Sequence, residues 1–148
     1  MSWPRTVIRR AGRWTLALPV AGMAFLFFLS SIPGGEHEVL GYAFEIAPEL
    51  GNFLHIPAYY VLALLWKIAL EAWAAPEHKT SALAIIFTTV FGALDEYHQS
   101  FVPNRFMDAR DVVVNFFGAV LTVLTWRFVR PIFFSERRPE SPEKHPAG

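Results

Sequence analysis

Polar and ionisable side chains are concentrated in residues 95–118, which read DEYHQSFVPNRFMDARDVVVNFFG. Strongly apolar runs, residues 81–94 and 112–129, enclose this cluster. Charged groups at a membrane boundary are costly unless they are paired or used, so a cluster of this density indicates a functional site. Its carboxylates could act as general acid or base or bind a metal ion, and its arginines could bind an anion.

The spacing of these residues predicts three polar stripes on three helices. Residues three, four or seven positions apart share one face of a helix. The stripes are His55 with Tyr59; Gly92 with Glu96 and Gln99; and Asp108 with Asp111, Asn115 and Gly118. We expect them to meet at one depth, because each lies where its apolar segment reaches the same side of the membrane.

Several of these residues also have a purely structural interpretation. Asp108 can be the N-cap of the last helix, and the helix dipole can favour Asp111 near its start. Asn115 lies one turn deeper, so it needs a partner from another helix. The candidate partners are Glu96, Gln99 and Tyr59.

Arg105 and His55 leave their chemistry open. Arg105 can pair with Glu96 or Asp111 as a clamp, or its guanidinium can bind an external anion, since that group fits carboxylate and phosphate alike. His55 can be a base, a metal ligand or a hydrogen-bonded spacer.

A metal site made from His55, Glu96, Asp108 and Asp111 would suit magnesium or calcium, but no zinc-binding motif is present. The sequence therefore assigns no metal ion and no cofactor.

The composition is typical of a membrane protein. Of the 148 residues, 53% are hydrophobic and only 18% are charged, and the mean hydropathy is +0.32. The apolar residues come in long runs, which indicates burial in lipid. The formal net charge is zero, so no overall field favours nucleic acid, and the lack of cysteine excludes disulfides and thiol nucleophiles.

We predict an all-α membrane protein with four transmembrane helices. Their predicted ranges are residues 14–32, 53–70, 81–94 and 111–129. The third run is short, so its last turn should include Glu96 and Gln99. We expect Lys67 to extend to the headgroups and Pro131 to end the fourth helix.

The distribution of Lys and Arg predicts the orientation. Basic residues are frequent before the first span, between the second and third, and after the fourth, which places both termini in the cytoplasm and the polar cluster at the outer face. The domains are then a basic cytoplasmic segment at 1–13, a membrane domain at 14–130 and a disordered cytoplasmic tail at 131–148. A signal peptide is the competing interpretation of the start, but the apolar run is longer than a signal core.

The chain resembles the VanZ-like family of small multispan bacterial membrane proteins over residues 14–130. The resemblance rests on Ser30-Ser31-Ile32-Pro33, on His55 and Tyr59, on Glu96-x-x-Gln99, and on Pro103-x-Arg105-x-x-Asp108-x-x-Asp111-x-x-x-Asn115-x-x-Gly118. Gly51 and Asn52 stand where the family often has Asp-Lys, which puts any ligand-binding role of that pair in doubt here. The resemblance implies a multi-pass protein of the bacterial plasma (inner) membrane. Its namesake is linked to low-level teicoplanin resistance, without a settled biochemical activity.

Three functions fit the sequence. In the first, the outer pocket binds a lipid headgroup, a lipid-linked envelope precursor or a lipophilic glycopeptide antibiotic. In the second, the protein is a hydrolase or transferase acting on an envelope lipid, with Glu96 or His55 as general base and Asp108 and Asp111 as metal ligands or acid. In the third, the cluster only locks the helices or binds a partner protein. The expected ligand-binding residues are His55, Tyr59, Glu96, Gln99, Arg105, Asp108, Asp111 and Asn115.

Overall fold

Four long helices and no strand occur in the residues that the structure describes. The computed structural model describes residues 12–33, 48–73 and 76–134. A short helical turn, Gly12–Thr15, precedes the first long helix. The long helices are α1 (Ala17–Ser30), α2 (Pro48–Ala72), α3 (Glu77–Gln99) and α4 (Ala109–Phe133). The predicted all-α class is confirmed for the described part of the chain.

Two helices, Leu54–Ala72 within α2 and Ala109–Phe133, are long and apolar enough to cross a membrane, and α1 is a shorter apolar helix. The basic residues 1–11, the connection 34–47 with its acidic residues, and the tail from 135 lie outside the described residues. The four-span count and the orientation therefore stay predictions.

Most helix bounds differ from the predicted ones by a few residues, and α3 begins at Glu77, four residues before its predicted start. Helix α2 begins at Pro48, five residues before the predicted start. Helix α4 continues through Pro131 to Phe133, so the predicted stop at this proline is wrong. A proline lacks one backbone donor, and the helix tolerates this loss in its last turn, where Phe134 N–H still donates to the carbonyl of Arg130 at 2.8 Å. As predicted, α3 includes both Glu96 and Gln99.

Helix α2 packs against each of the other long helices, and α3 also packs against α4. A glycine sets the closest approach of α4 to α2. A Cβ atom on Gly118 would lie 2.7 Å from the Ile56 carbonyl oxygen and 3.1 Å from the Tyr60 nitrogen, both backbone atoms. At Gly22 of α1, by contrast, a Cβ would meet only Leu side-chain ends. Small residues allow close packing between membrane helices, as predicted for Gly118.

Large apolar side chains lie on the outside of the helix bundle, and several polar side chains lie inside it. Large apolar side chains are exposed on every long helix, for example on Phe28, Val61, Val90 and Leu124. Among the residues whose burial is described, ten polar or charged ones are buried. Lys67, Glu96 and Asn115 are three of these, and each has no exposed surface. An exterior of this kind suits contact with lipid. The polar groups inside must then find their hydrogen-bond partners within the protein.

One buried polar cluster lies at the end of the bundle where α2 and α4 end and α3 begins. Its centre is Lys67, which was expected to extend to the headgroups but is fully buried. That prediction is wrong because acceptors surround the ammonium group inside the bundle. They are the Glu77 carbonyl at 3.1 Å, Thr80 Oγ1 at 2.7 Å, Ser81 Oγ at 2.9 Å and Glu71 Oε1 at 3.2 Å.

Glu71 supplies the negative charge of this cluster. Its second oxygen, Oε2, accepts from Arg130 Nε at 3.2 Å, and Oε1 also accepts from Trp126 Nε1 at 2.8 Å. Tryptophans near the ends of membrane spans commonly lie in interfacial aromatic belts. Trp126 is instead buried, and its indole N–H donates to this carboxylate. Every charge in the cluster thus has an opposite charge beside it.

Candidate functional site

A second polar cluster lies at the other end of the bundle and contains the predicted site residues. His55 lies near the start of α2, Glu96 in the last turn of α3 and Asp111 in the first turn of α4. One ring nitrogen of His55 and one carboxylate oxygen each of Glu96 and Asp111 lie within 4.8 Å of one another. The antiparallel order of α2, α3 and α4 brings residues far apart in sequence into one site.

Glu96 is the most enclosed member of this site, with no exposed surface. Its Oε1 accepts from Gln99 Nε2 at 3.0 Å, one helical turn away. Its Oε2 accepts from the backbone N–H of Asp108 at 3.3 Å, which ties the end of α3 to the start of α4. Both donors are neutral, so the carboxylate is oriented without a cationic partner.

Asn115 is also fully buried, and its partner differs from the predicted ones. Its Oδ1 lies 3.0 Å from His55 Nδ1, rather than bonding to Glu96, Gln99 or Tyr59. The close approach of α2 and α4 at Gly118 explains the difference, because it brings these two helices into direct contact at this depth. With Asn115 Oδ1 as the acceptor, His55 donates through Nδ1, and in the neutral imidazole Nε2 then carries the lone pair.

Two buried polar atoms of the site have no hydrogen-bond partner. They are Asp111 Oδ1 and Asn115 Nδ2. Buried polar groups are nearly always bonded, so each exception needs an explanation such as a bound water, ion or ligand. Both atoms belong to the stripe that the sequence predicted on α4.

Asp95 also lies in this polar cluster, although the stripes predicted from the sequence do not include it. It is buried, and its Oδ1 accepts from Ser30 Oγ of α1 at 2.6 Å. Its Oδ2 lies 3.5 Å from both the Tyr59 hydroxyl and Gln99 Nε2. The spacing carried a signal, because Asp95 is three residues after Gly92 and four before Gln99 and therefore shares their face.

Tyr59 and Asp108 occupy the places that their spacing predicted. The Tyr59 ring stacks on the ring of His55, with centroids 5.9 Å apart and planes inclined by 3°. Asp108 caps α4, since its Oδ1 accepts from the Arg110 N–H at 2.8 Å. The side chain of Asp108 thus caps the start of α4, and its backbone N–H donates to the Glu96 carboxylate.

Of the two roles left open for Arg105, the clamp with Glu96 or Asp111 is not seen among the described residues. The Nε of Arg105 donates to the carbonyl of Ile32 at 3.2 Å, two residues beyond the Ser30 that bonds Asp95. The side chain is half-buried. Because only Nε is used among the described residues, the two terminal nitrogens of the guanidinium remain available to an anion.

The charge balance of the two clusters differs. Within residues 12–33, 48–73 and 76–134, the ion pairs join Glu71 to Lys67 and to Arg130, all in the other cluster. The site instead gathers the carboxylates of Asp95, Glu96 and Asp111 with His55 as the one titratable base among its bonded members. An ionised carboxylate in a low-dielectric interior is unfavourable when no opposite charge lies beside it. The arrangement is therefore suited to bind a cation or a ligand that donates hydrogen bonds.

These features define the class: a helical protein with an apolar exterior and a polar site enclosed where three helix ends meet. The family model described as VanZ/LLP1 matches residues 15–130. The chain belongs to this family, which confirms the resemblance seen in the motifs. No match was found among curated proteins or among solved structures. The ligand-binding roles of the site residues stay predictions.

Replacing Ser30 by alanine tests the bond that holds α1 to the site. We expect Ser30→Ala to lower the free energy of unfolding by about 1–3 kcal/mol, because a buried carboxylate loses its shortest donor. Reversible unfolding in mixed detergent micelles measures the change. Ser31→Ala is the matched control, since the Ser31 hydroxyl bonds only to the Phe27 carbonyl of its own helix among described residues. Equal effects of the two substitutions would contradict this role of Ser30.

Proposed function

We propose that this VanZ/LLP1 family member is a multi-pass protein of the bacterial plasma membrane, whose outer-face site binds the phosphate-bearing headgroup of a membrane lipid or lipid-linked envelope precursor. The proposed topology has four spans and both termini in the cytoplasm. The apolar surfaces of all four long helices support it. Helix α3 has 23 residues and is about 35 Å long. The turn Gly12–Thr15 and α1 together cover close to the roughly 20 residues that a span needs.

The single observation that carries the proposal is the convergence of His55, Glu96 and Asp111, with Asp111 Oδ1 and Asn115 Nδ2 lacking a hydrogen-bond partner among the described residues. The half-buried Arg105 bonds the carbonyl of Ile32, two residues after the Ser30 that bonds Asp95. A lipid headgroup combines a phosphate with hydroxyl or amine donors. Arg105 would take the phosphate through its terminal nitrogens, since arginine binds phosphate in two-pronged fashion. The carboxylates would accept from the hydroxyl or amine donors, and the unbonded Nδ2 of Asn115 would donate to a headgroup oxygen. Exposed apolar side chains next to the site, Phe106 and Met107, suit contact with acyl chains.

Replacing Arg105 tests this function. In nanodiscs of phosphatidylcholine containing phosphatidylglycerol, native mass spectrometry should find the anionic lipid retained on the wild type. Arg105→Ala should reduce this retention roughly tenfold, as expected for losing a charge-assisted hydrogen bond. Arg127→Ala is the matched control, because Arg127 is an exposed arginine near the other end of α4. Equal retention by all three proteins, or equal loss in both variants, would contradict the proposal.

A membrane-embedded enzyme is the second candidate, and one specific observation favours it. The bond from His55 Nδ1 to Asn115 leaves Nε2 as a potential general base within a site that also holds Glu96. A positioned base and carboxylate of this kind suit hydrolysis or group transfer on an envelope lipid.

Glu96→Gln separates the enzyme from the binding protein. The substitution keeps the shape of the side chain and removes its charge. If the protein is an enzyme, the lipid products that form when wild-type protein is incubated with extracted envelope lipids should fall about 100-fold or more, while phosphatidylglycerol retention persists. Glu77→Gln, on the exposed first turn of α3, is the control. Unchanged product formation in Glu96→Gln would contradict a catalytic role of this carboxylate.

A further inference from the structure

The site has the geometry of a metal centre. We propose that His55, Glu96 and Asp111 bind a divalent transition-metal ion, with Zn²⁺ as the best fit. Their three donor atoms lie within 4.8 Å of one another. Donors bonded to one ion at about 2.0–2.2 Å are separated by about 3–4 Å, so closing the site takes side-chain movements of about 1 Å.

The hydrogen bond of His55 matches that of a metal ligand. A histidine that binds a metal through one nitrogen almost always donates its other N–H to a carbonyl or carboxylate oxygen. Here Nδ1 lies 3.0 Å from Asn115 Oδ1. With that oxygen as the acceptor, Nδ1 donates, and in the neutral imidazole Nε2 is the nitrogen that can bind an ion. Asn115 is fully buried, so this orientation of the ring is held by the packing of α2 against α4.

The carboxylates supply the charge that a dication needs. Asp111 Oδ1 is buried without a partner, and Glu96 is held by two neutral donors, Gln99 and the Asp108 N–H. Two carboxylates and a neutral imidazole carry a charge of about −2, which a divalent ion neutralises. The other buried cluster needs no ion, because Glu71 already contacts Lys67 and Arg130.

The donor set selects the kind of ion. Calcium takes six to eight oxygen ligands, and magnesium keeps most of its water and few carboxylates. One imidazole and two carboxylates suit a first-row transition metal, and zinc binds such sites more tightly than manganese or iron. Three protein ligands leave a fourth position open on zinc. This inference deepens the proposed pocket, since the open position would accept a phosphate oxygen of the headgroup.

Titration with Zn²⁺ alone tests the site without any lipid. Isothermal titration calorimetry of the tag-free protein in detergent should give one zinc per chain. Asp111→Asn and His55→Gln should weaken the affinity roughly 100-fold or more. His78→Gln is the matched control, because His78 is an exposed histidine in the first turn of α3, and it should leave the affinity unchanged. Retained affinity in Asp111→Asn, or equal loss in His78→Gln, would overturn the proposal.

X-ray absorption at the zinc edge keeps the proposal testable if a variant fails to fold. In the wild type it should show one imidazole and oxygen donors at about 2.0–2.2 Å. A spectrum without imidazole scattering would overturn the site. The lipid proposal is tested separately, since phosphatidylglycerol retention that depends on Arg105 but survives chelation would reject the metal and keep the pocket.

Discussion

The structure depends on one electrostatic constraint: carboxylates buried in an apolar bundle must find donors or cations within it. Glu71 meets this constraint with Lys67, Arg130 and the Trp126 indole, at the end where α2 and α4 finish. At the other end, Asp95 and Glu96 rely on hydroxyl, amide and backbone donors. In the first cluster the carboxylate lies beside two cations, whereas no ion pair among the described residues involves the carboxylates of the second. This contrast is the reason to assign structure to one end and function to the other.

Close helix packing makes the second cluster possible. Gly92 and Gly118 remove the side chains that would otherwise stand between the helices. A Cβ on Gly92 would lie 2.8 Å from Asn115 Nδ2 and 2.9 Å from Tyr59 Cε1, both in the site. Because both glycines face groups that cannot move without disturbing the site, the spacing of the backbones and the arrangement of the polar side chains depend on each other.

Helical spacing was sufficient to predict which residues meet at this end. It found the stripes of Glu96 with Gln99 and of Asp111 with Asn115, because a period of 3.6 residues fixes which side chains share a face. It could not find the partner of Asn115, since pairing between helices depends on their rotation and separation. Asp95 was missed although it shares a face with Gln99, because the stripe was traced through Glu96 alone.

The errors at the other end have a different cause. General preferences place a lone lysine such as Lys67 at the headgroups and a tryptophan near a span end in the aromatic belt. These preferences apply to helices surrounded by lipid, and they fail where a neighbouring helix offers an acceptor. Helix α3 offers Lys67 the Glu77 carbonyl and the Thr80 and Ser81 hydroxyls. Helix α2 offers the Glu71 carboxylate to Trp126 of α4. Pairing of this kind depends on the three-dimensional contact between α2, α3 and α4, which a single sequence does not reveal.

The central claim is that the start of α2 and the start of α4 meet in one polar site, and cross-linking in the native membrane tests it most directly. The chain has no cysteine, so an introduced pair reports alone. His55 Nδ1 and Asn115 Oδ1 lie 3.0 Å apart. When both residues are replaced by cysteine (His55→Cys with Asn115→Cys), mild oxidation should form an intramolecular disulfide that blocks maleimide labelling. The pair His55→Cys and Lys79→Cys, at opposite ends of the bundle, should stay reduced and label fully. Full labelling of the first pair after oxidation would contradict the account.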